Sequence, residues 1–272
     1  MIGDPLKSVT ARVIAKADGV WAGEGLDQAV IQLAREEGFP IDCKNILRNG
    51  EAFQKGQVVT EWSGSAHGLL VFERSYLNLA SWTSGIASKT QALVSKVEAA
   101  WGALSSKGTR SGPRVTATRK TLPGYRDLSV MAVLAGGGFS HRTSLAGGVL
   151  IKENHIASAG GIAAAVEGAR ACAPHGLRIE VEVASTQDLE EVLGLDVDCV
   201  MLDNFRPEEV RAALALIRAQ KNPIPLQVEV SGGIDETNVG PYVQEGVDII
   251  SSGGLTHTVR GIDLSMLINW GS

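Results

Sequence analysis

The chain has 272 residues, of which 44% are hydrophobic, and this is enough for a packed core in one large domain or two smaller ones. Its 25 basic and 30 acidic residues give a net charge of −5. Non-specific binding to nucleic acid or to an anionic membrane is therefore excluded, because both depend on an excess of positive charge. Any site for an anion must be a local pocket.

The three cysteines, Cys43, Cys172 and Cys199, are widely spaced, and the sequence contains no CxxC motif. This usage predicts a reduced, cytoplasmic protein without a disulfide framework or a cysteine-based zinc site. The first residues, MIGDPLKSVTARV, carry charges where a signal peptide has its apolar stretch, so we expect no such peptide. No run of 18 apolar residues occurs, and we expect no membrane span.

Residues 9–73 combine short extended runs with one helix. The segment TARVIAKADGVWAG alternates as strands do, and GLDQAVIQLAREEG has apolar residues at helical spacing before Gly38, a stop signal. The segment QKGQVVTEWSGSAHGLLVFE predicts two strands joined by a Gly-Ser turn. Together these elements predict a small α+β layer.

A long helix is predicted from Ser75 to about Trp101, in which Gly85 marks either close packing or a break. Beyond it, short β-branched runs alternate with helical segments. The runs are GPRVTATRK, GGVLIKE, GLRIEVEVAS, DCVMLDN, PLQVEVSGG and VDIISSGG, and the helices lie in IASAGGIAAAVEGARACA, TQDLEEVLGL, PEEVRAALALIRAQ and TNVGPYVQEG. This alternation predicts parallel strands covered by helices, and six such units favour a barrel or part-barrel over an open sheet.

Polar residues collect at the predicted C-terminal ends of these strands, which is where barrels place their chemistry. The strands end, in chain order, in Arg119-Lys120, Lys152-Glu153, Glu180 with Glu182, Asp203-Asn204, Ser231-Gly232-Gly233 and Ser252-Gly253-Gly254. One charged strand end is usually just solvated, but here cations come first, carboxylates next and glycine turns last. Glycine turns bring backbone N–H groups close to a phosphate, and the carboxylates of Glu182 and Asp203 suit Mg²⁺.

A glycine cluster precedes two further residues of this set. In AGGGFSHRTS, three glycines, residues 136–138, stand before His141 and Arg142. Alone they predict only a flexible loop, but beside a cationic strand end they favour a loop that folds His141 and Arg142 over an anion. Arginine binds carboxylate or phosphate through two hydrogen bonds, which lysine cannot do.

The residues therefore predict a site for a polyanionic substrate together with a phosphorylated, Mg²⁺-bound one. The sequence contains no Ser-His-Asp arrangement, no GxSxG elbow, no P-loop and no GxGxxG that opens a helix. This favours positioning and electrostatic stabilisation over covalent catalysis.

The same motifs resemble a known enzyme family. The segments TRKTLPGYR, GGGFSHR, VLIKENHI, IEVEV, VMLDNF, VEVSGGI and GGLTH occur in the order found in the quinolinate phosphoribosyltransferases, and the resemblance runs from about Thr10 to Asp263. It implies an α/β protein with an N-terminal α/β sandwich domain, residues 1–88, and an incomplete parallel α/β barrel, residues 89–272, whose C-terminal end can pack back on the first domain. It also implies a homodimer in which the sandwich of one subunit closes the barrel of the other.

The reaction that the resemblance implies joins quinolinate to phosphoribosyl pyrophosphate and yields nicotinate mononucleotide, pyrophosphate and CO₂, with Mg²⁺ as cofactor. Arg119, His141, Arg142 and Lys152 would surround the quinolinate carboxylates. Lys120 would contact quinolinate or the phosphoribosyl donor.

Further residues would hold the phosphoribosyl donor. Glu182 and Asp203 would serve the ribose and the Mg²⁺-pyrophosphate, and together with Lys120 and Lys152 they are the expected catalytic residues. Arg74 would reach into the site of the partner subunit. The remaining expected substrate-binding residues, most of them for the 5-phosphate, are Thr118, Ser231, Gly232, Gly233, Ser252, Gly253, Gly254 and His257.

Three other functions stay open at this point. A relative of the same fold, associated with molybdate transport, would act on another aromatic acid; the retained His141-Arg142 and IKENH motifs argue against it. A Schiff-base aldolase would use Lys120 or Lys152, and a metabolite-binding protein would catalyse nothing. Departures from the family pattern bear on the identity of the acceptor, and they are Val130, Met131, Ser140, Ser252 and Gly254.

Overall fold

The computed structural model describes residues 7–105, 112–220 and 226–270, which form an α/β fold. The described chain divides into two units. The first comprises the residues up to Gln91, then Pro123–Gly137, and the residues from Thr258 onward. The second comprises Ala92–Leu122 and Gly138–His257. The boundary between residues 88 and 89 stays a prediction.

The elements follow one another in the order β1 (Ser8–Ala15), β2 (Gly19–Val20), α1 (Leu26–Glu36), β3 (Ile41–Asn45), β4 (Ala52–Phe53), β5 (Val58–Ser65), α2 (Ala66–Leu104), β6 (Arg114–Thr116), α3 (Arg126–Ala135), β7 (Val149–Ile151), α4 (Glu153–Ala159), α5 (Ile162–Cys172), β8 (Ile179–Val183), α6 (Thr186–Val192), β9 (Cys199–Asp203), α7 (Pro207–Ala219), β10 (Gln227–Ser231), β11 (Ile249–Ser251), α8 (Gly254–His257) and β12 (Leu264–Asn269). No helix among the described residues combines the length and the apolar character needed to cross a lipid bilayer.

An antiparallel sheet organises the first unit, which is the N-terminal sandwich. Its strand order is β12-β1-β5-β3, so the C-terminal strand pairs with the N-terminal one. Alternate residues of β1, from Val9 to Ala15, are buried, as a two-residue period requires. They share a core with Trp62 of β5 and with apolar residues of α1 and α2, such as Val30 and Leu69.

A parallel sheet organises the second, barrel-like unit. Its strand order is β6-β11-β10-β9-β8-β7, and every pairing between neighbours is parallel. One face carries apolar residues, among them Val181, Val200 and Val228, that are buried together with residues of the helices. The other face is polar, because Glu182 and Glu229 flank Met201 in register. The alternation of glutamates with valines in IEVEV and VEV therefore separates a packed face from a face that can form a site.

One predicted hairpin is wrong. The segment from Gln54 to Glu73 forms one strand, β5, followed by the start of α2, which therefore begins nine residues before the predicted start at Ser75. The side chain of Ser65 accepts the backbone N–H of Gly68 at 3.3 Å and so caps the new helix. The apolar run that suggested a strand instead buries residues such as Ala66 and Leu69 at helical spacing.

Two further predicted helices need correction. The segment TNVGPYVQEG is only a single 3₁₀ turn, Gly240–Tyr242, because a Gly-Pro pair interrupts it. The predicted helix in IASAGGIAAAVEGARACA is two helices, α4 and α5, because two glycines, residues 160 and 161, have φ of 88° and 151°. Helix α3 was not predicted. Gly85 does not break α2 but packs closely against the backbone of Arg260.

Candidate active site

A cavity of about 380 Å³ lies at the C-terminal ends of the parallel strands. Its lining is Thr118, Arg119, Lys120, His141, Arg142, Leu150, Lys152, Glu182, Met201, Asp203, Glu229 and Ser231. The sequence predicted all of these except Leu150, Met201 and Glu229. The structure thus brings carboxylates from three strands, β8, β9 and β10, together with cations from the three loops that follow β6, precede β7 and follow β7.

The first cations lie in a turn rather than at a strand end, because β6 ends at Thr116 and not at Lys120 as expected. Two contacts hold the backbone of this turn. The N–H of Lys120 donates to the hydroxyl of Thr118 at 3.1 Å, and the hydroxyl of Thr256 donates to the carbonyl of Lys120 at 2.8 Å. Lys120 is thereby fixed beside the loop that follows β11.

Lys152 and Glu182 form an ion pair within the cavity. The backbone N–H of Lys152 donates to Nδ1 of His155 at 3.0 Å, which holds the start of α4. Nearby, burial and the charge of Glu182 raise the pKa of Asp203, and the charges of Lys152 and Lys120 oppose that rise. The cavity therefore has two mutually repelling carboxylates that are balanced by two ammonium groups.

Asp203 is oriented by its neighbour Asn204. The side-chain amide of Asn204 donates to Oδ2 of Asp203 at 2.7 Å, and its backbone N–H donates to the carbonyl of Ser231 at 2.9 Å. Among the described residues, Asn204 is the one non-glycine residue with positive φ, 58°. Such a conformation at the end of a strand is typical of a functional position that its surroundings hold in place.

The two arginines of the cavity have unsatisfied donors. The Nε atoms of Arg119 and Arg142 are buried and have no hydrogen-bond partner among the described residues. Arg142 also donates from Nη1 to the carbonyl of Gly148 at 3.1 Å. Burial and the charge of Arg119 lower the pKa of Arg142. Since an unsatisfied buried donor costs about 1–3 kcal/mol, an anion in the cavity would stabilise both guanidinium groups.

His141 lies between two buried carboxylates. Its Nε2 atom is 3.3 Å from Oε2 of Glu180 and 3.3 Å from Oε2 of Glu229. Glu180, then Glu229, raise the pKa of His141 to about 10. The backbone N–H of Arg142, however, donates to Nδ1 at 2.8 Å and opposes a second proton on the ring. Burial raises the pKa of Glu229, so these three groups share their protons as a unit.

Glu229 is the functional residue that sequence reasoning missed. It is fully buried, with 0% of its surface exposed. The signal was present in PLQVEVSGG, where an ionisable residue stands between two buried valines of one strand. Glu180 is a similar case, because it also stands between two buried residues of its strand. Glu182 was the predicted functional carboxylate of β8, but it is Glu180 that contacts His141.

Six predicted residues in the segments after β10 and β11 do not line the cavity, and they are Gly232, Gly233, Ser252, Gly253, Gly254 and His257. The hydroxyl of Ser252 is buried and donates to the carbonyl of Ile234 at 2.6 Å, which ties the loop after β11 to the loop after β10. A Cβ on Gly253 would lie 3.0 Å from Cδ of Lys120. The segment after β11 therefore packs against Lys120, and the phosphate-binding role of the six residues stays a prediction.

Arg74 belongs to the first unit and lies on α2. Its side chain is 73% exposed, and its guanidinium lies 3.9 Å from the carboxylate of Glu73. Its expected role in the site of a partner subunit stays a prediction.

The fold and the site together define a two-part α/β protein whose barrel-like unit has a cation-lined cavity at the strand ends. Two family models match the chain: the N-terminal domain of quinolinate phosphoribosyl transferase over residues 1–84, and the C-terminal domain of quinolinate phosphoribosyl transferase over residues 86–267. The chain belongs to the quinolinate phosphoribosyltransferase family.

Individual relatives agree with this assignment. The nicotinate-nucleotide pyrophosphorylase [carboxylating] of Mycobacterium leprae is 37% identical over 261 residues, which cover 95% of this chain and 86% of the relative. The protein of the same name from Homo sapiens is 37% identical over 258 residues, 94% of this chain and 81% of the relative. The crystal structure of NadC from Streptococcus pyogenes matches with a TM-score of 0.84 at 34% identity and covers 100% of this chain and 90% of its own.

Proposed function

We propose that this protein is a decarboxylating quinolinate phosphoribosyltransferase, which makes nicotinate mononucleotide, pyrophosphate and CO₂ from quinolinate and phosphoribosyl pyrophosphate. The observation that carries the proposal is the pair of buried, unsatisfied Nε donors on Arg119 and Arg142, in the same cavity as the carboxylates of Glu182 and Asp203. The first pair suits a substrate with two carboxylates. The second pair suits a ribose that becomes positively charged.

Quinolinate binds at the cationic side of the cavity. Arg119 and Arg142 donate charge-assisted hydrogen bonds to the two carboxylates, which satisfies their free donors. Lys152 is already paired with Glu182. Its positive charge would therefore be shared between Glu182 and a carboxylate of the bound quinolinate. The apolar side chains of Leu150 and Met201 provide walls for the aromatic ring.

The phosphoribosyl donor binds at the side of the cavity that carries Glu182 and Asp203. As the bond between the ribose and pyrophosphate breaks, positive charge develops on the ribose, and Glu182 and Asp203 stabilise it. Lys120 lies next to the glycine turn after β11, where it can pair with a phosphate group. No side chain is needed as a covalent nucleophile.

The same two carboxylates fit Mg²⁺. Repulsion by Glu182 contributes to the raised pKa of Asp203, and a dication near both would relieve that repulsion. Magnesium prefers a few carboxylates and keeps several waters, and when bound with pyrophosphate it would neutralise the leaving group. Glu182 and Asp203 are the residues that would hold it.

Decarboxylation needs positive charge near the ring, because the departing CO₂ leaves an electron pair on the ring carbon. The cations proposed to bind the carboxylates, Arg119, Arg142 and Lys152, line the same cavity. Their fixed charge stabilises the developing anion without reorganisation of solvent.

The proposal extends to a homodimer in which Arg74 enters the partner's site, which accords with its exposed side chain. It also extends to a reducing, cytoplasmic setting, which accords with three free cysteines among the described residues.

The decisive assay follows nicotinate mononucleotide and CO₂ formed by purified protein from quinolinate, phosphoribosyl pyrophosphate and Mg²⁺, with nicotinate as the parallel acceptor. Turnover of quinolinate alone is the expected result. Binding of the phosphoribosyl donor without turnover of quinolinate would instead assign the cavity to another aromatic acid.

The dimer is tested by mixing two inactive variants, Arg74→Ala and Lys152→Ala, under conditions that allow subunits to exchange. If Arg74 acts in the partner's site, each mixed dimer has one complete site, and random mixing restores about a quarter of wild-type activity. If Arg74 acts in its own subunit, mixing restores nothing.

A further inference from the structure

Two cavities meet in the second unit, on opposite sides of His141. The first is the active-site cavity at the C-terminal ends of the strands. The second, of about 240 Å³, is lined by residues at the N-terminal ends of strands, such as Arg114 of β6 and Gln227 of β10. Both cavities are lined by His141, Arg142 and Glu229. These side chains therefore form the wall between the two cavities.

The wall contains a triad, defined here as His141, Glu180 and Glu229. Nε2 of His141 is 3.3 Å from one carboxylate oxygen of each glutamate. Neither oxygen of Glu229 has a hydrogen bond that satisfies it among the described residues, and the side chain is fully buried. Two ionised carboxylates cannot share one hydrogen-bond donor in such a place at low cost, so the triad must hold an additional proton.

The position of the triad members decides where that proton can go. Glu229 lines both cavities, whereas Glu180 lines only the second. The opposite oxygen of Glu180 already accepts the thiol of Cys199 at 3.4 Å. Glu229 is therefore the carboxyl group of the triad that borders the active-site cavity.

The three side chains of the triad could also bind a transition-metal ion, since their potential ligand atoms lie within 4.8 Å of one another. The contact at Nδ1 argues against it. Because Nδ1 accepts the backbone N–H of Arg142 at 2.8 Å, the ring hydrogen of a neutral imidazole stands on Nε2, and an Nε2–H group is not a metal ligand.

We infer that Glu229 is the general acid that places a proton on the ring carbon from which CO₂ departs, and this inference rests on the proposed function. The established chemistry of the family leaves that carbon with an electron pair and needs a proton to complete the product. The triad is an acid that the proposed binding and transfer steps do not use.

The step balances as follows. The bond between the ring carbon and the carboxylate breaks, CO₂ leaves, and the electron pair stays on the ring carbon. The O–H bond of Glu229 then breaks as the C–H bond forms. The new carboxylate of Glu229 is stabilised by Nε2–H of His141, and water in the second cavity returns a proton to it.

The pH dependence of this step involves all the groups around Glu229. The groups that face it or share its cavities are Arg114 of β6 with Arg119 and Lys120 after it, His141 and Arg142 before β7, Lys152 after β7, Arg178 before β8, Glu180 and Glu182 of β8, Cys199 and Asp203 of β9, and Ser251 of β11 with Asp248 before it.

The test compares Glu229→Gln with Glu180→Gln, which is equally isosteric, lies against the same histidine and does not line the active-site cavity. Each enzyme turns over quinolinate in a 1:1 mixture of H₂O and D₂O, and the H/D ratio at the new C–H bond is measured by mass spectrometry. We expect Glu229→Gln to change the H/D ratio and to lower kcat about 100-fold, with dissociation constants for both substrates within about threefold of wild type. Glu180→Gln should keep the wild-type H/D ratio.

Several outcomes would overturn the inference. An H/D ratio that is the same in wild type and in Glu229→Gln means that water or another group delivers the proton. Equal effects of the two substitutions mean that both act only by positioning His141. A stoichiometric transition metal in purified wild type that both variants lose would assign the triad to metal binding.

The wild-type enzyme alone supplies a further test that does not depend on the folding of a variant. Its kcat should fall at high pH as Glu229 loses its proton, and the H/D ratio should change across that limb. A ratio that is constant across the limb contradicts the inference. Wild type that binds both substrates but forms no product from quinolinate contradicts the proposed function instead.

Discussion

A Cβ atom on Gly232 would lie 2.3 Å from Oδ1 of Asn204 and 2.6 Å from its backbone nitrogen. The glycine turn after β10 is thus pressed against the residue that orients Asp203. Gly232 also has φ of 102°, which side-chain-bearing residues rarely adopt. The glycine is required both for its conformation and for the space that it leaves to its neighbour.

Gly232→Ala should therefore displace Asn204 and release Asp203 from its hydrogen bond. Because a misplacement of about 1 Å can cost 100-fold in rate, we expect kcat/KM to fall by about that factor. Steady-state kinetics with both substrates measure the loss.

The matched control is Gly233→Ala, since Gly233 also has positive φ, 62°, but a Cβ there would meet nothing within 4 Å. It should show a similar loss of stability from backbone strain, about 1–3 kcal/mol, and a much smaller loss of activity. Equal losses of kcat/KM in Gly232→Ala and Gly233→Ala would mean that activity depends on the conformation of the turn and not on the position of Asn204.

Arg142→Ala should weaken binding of quinolinate more than binding of phosphoribosyl pyrophosphate. The loss removes one charge-assisted contact to a carboxylate, about 1.5–3 kcal/mol or roughly 10- to 150-fold in the dissociation constant. Isothermal titration with each ligand separates the two effects.

Arg211→Ala serves as the control for charge, since Arg211 is an exposed residue of α7 that does not line the cavity. It should leave both dissociation constants unchanged. Equal losses for both ligands in Arg142→Ala would contradict the assignment of this guanidinium to the dicarboxylate.

Most elements of the second unit could be predicted from the sequence, because each parallel strand is a short β-branched run with a turn after it. The elements of the first unit were predicted less accurately. The segment after β5 was mistaken for a strand because its apolar residues are contiguous, and only the hydrogen bond from Gly68 to Ser65 marks the helix start. This hydrogen bond depends on the conformation of the backbone, which amino-acid composition alone does not reveal.

The candidate site was predictable where charge stands at the end of a strand, as at Lys152 and Asp203. It was missed at Glu229, where the charge stands in the middle of a strand between two buried valines. Glu229 is opposite Met201 across one pair of strands, and its partner His141 comes from a loop 88 positions earlier in the chain. Only the packing of the unit brings that pair together.

Asp27 should make the stability of the protein depend on pH. Its carboxylate is buried in the first unit, and the nearby side chains of Tyr76, Asn45 and Cys43 lower its pKa by less than burial raises it. Burial raises its pKa above the ordinary value of 3.8, so the folded chain binds the proton more tightly than the unfolded chain does. Stability is therefore lost as pH rises from 3.8 through the folded pKa.

Asp27→Asn should remove this dependence. Urea unfolding should show the variant gaining stability relative to wild type between pH 4 and pH 7, by about 1.4 kcal/mol for each unit of the pKa shift. Asp42→Asn, at an exposed position on β3, is the control and should show no such trend. A difference between Asp27→Asn and wild type that is constant over this range would contradict the raised pKa of the buried Asp27.

Two glycines of α2 should respond in opposite directions to alanine. A Cβ on Gly85 would lie 2.4 Å from the carbonyl oxygen of Arg260 and 3.1 Å from Cγ1 of Val259, whereas a Cβ on Gly102 would meet nothing within 4 Å. Gly102→Ala should stabilise the helix by about 0.5–1 kcal/mol, because alanine loses less backbone entropy. Gly85→Ala should destabilise the protein by about 1–3 kcal/mol, because the close packing has no room for a methyl group. Urea denaturation of both variants against wild type measures the two signs, and stabilisation by Gly85→Ala would show that the segment around Arg260 can move away from α2 at little cost.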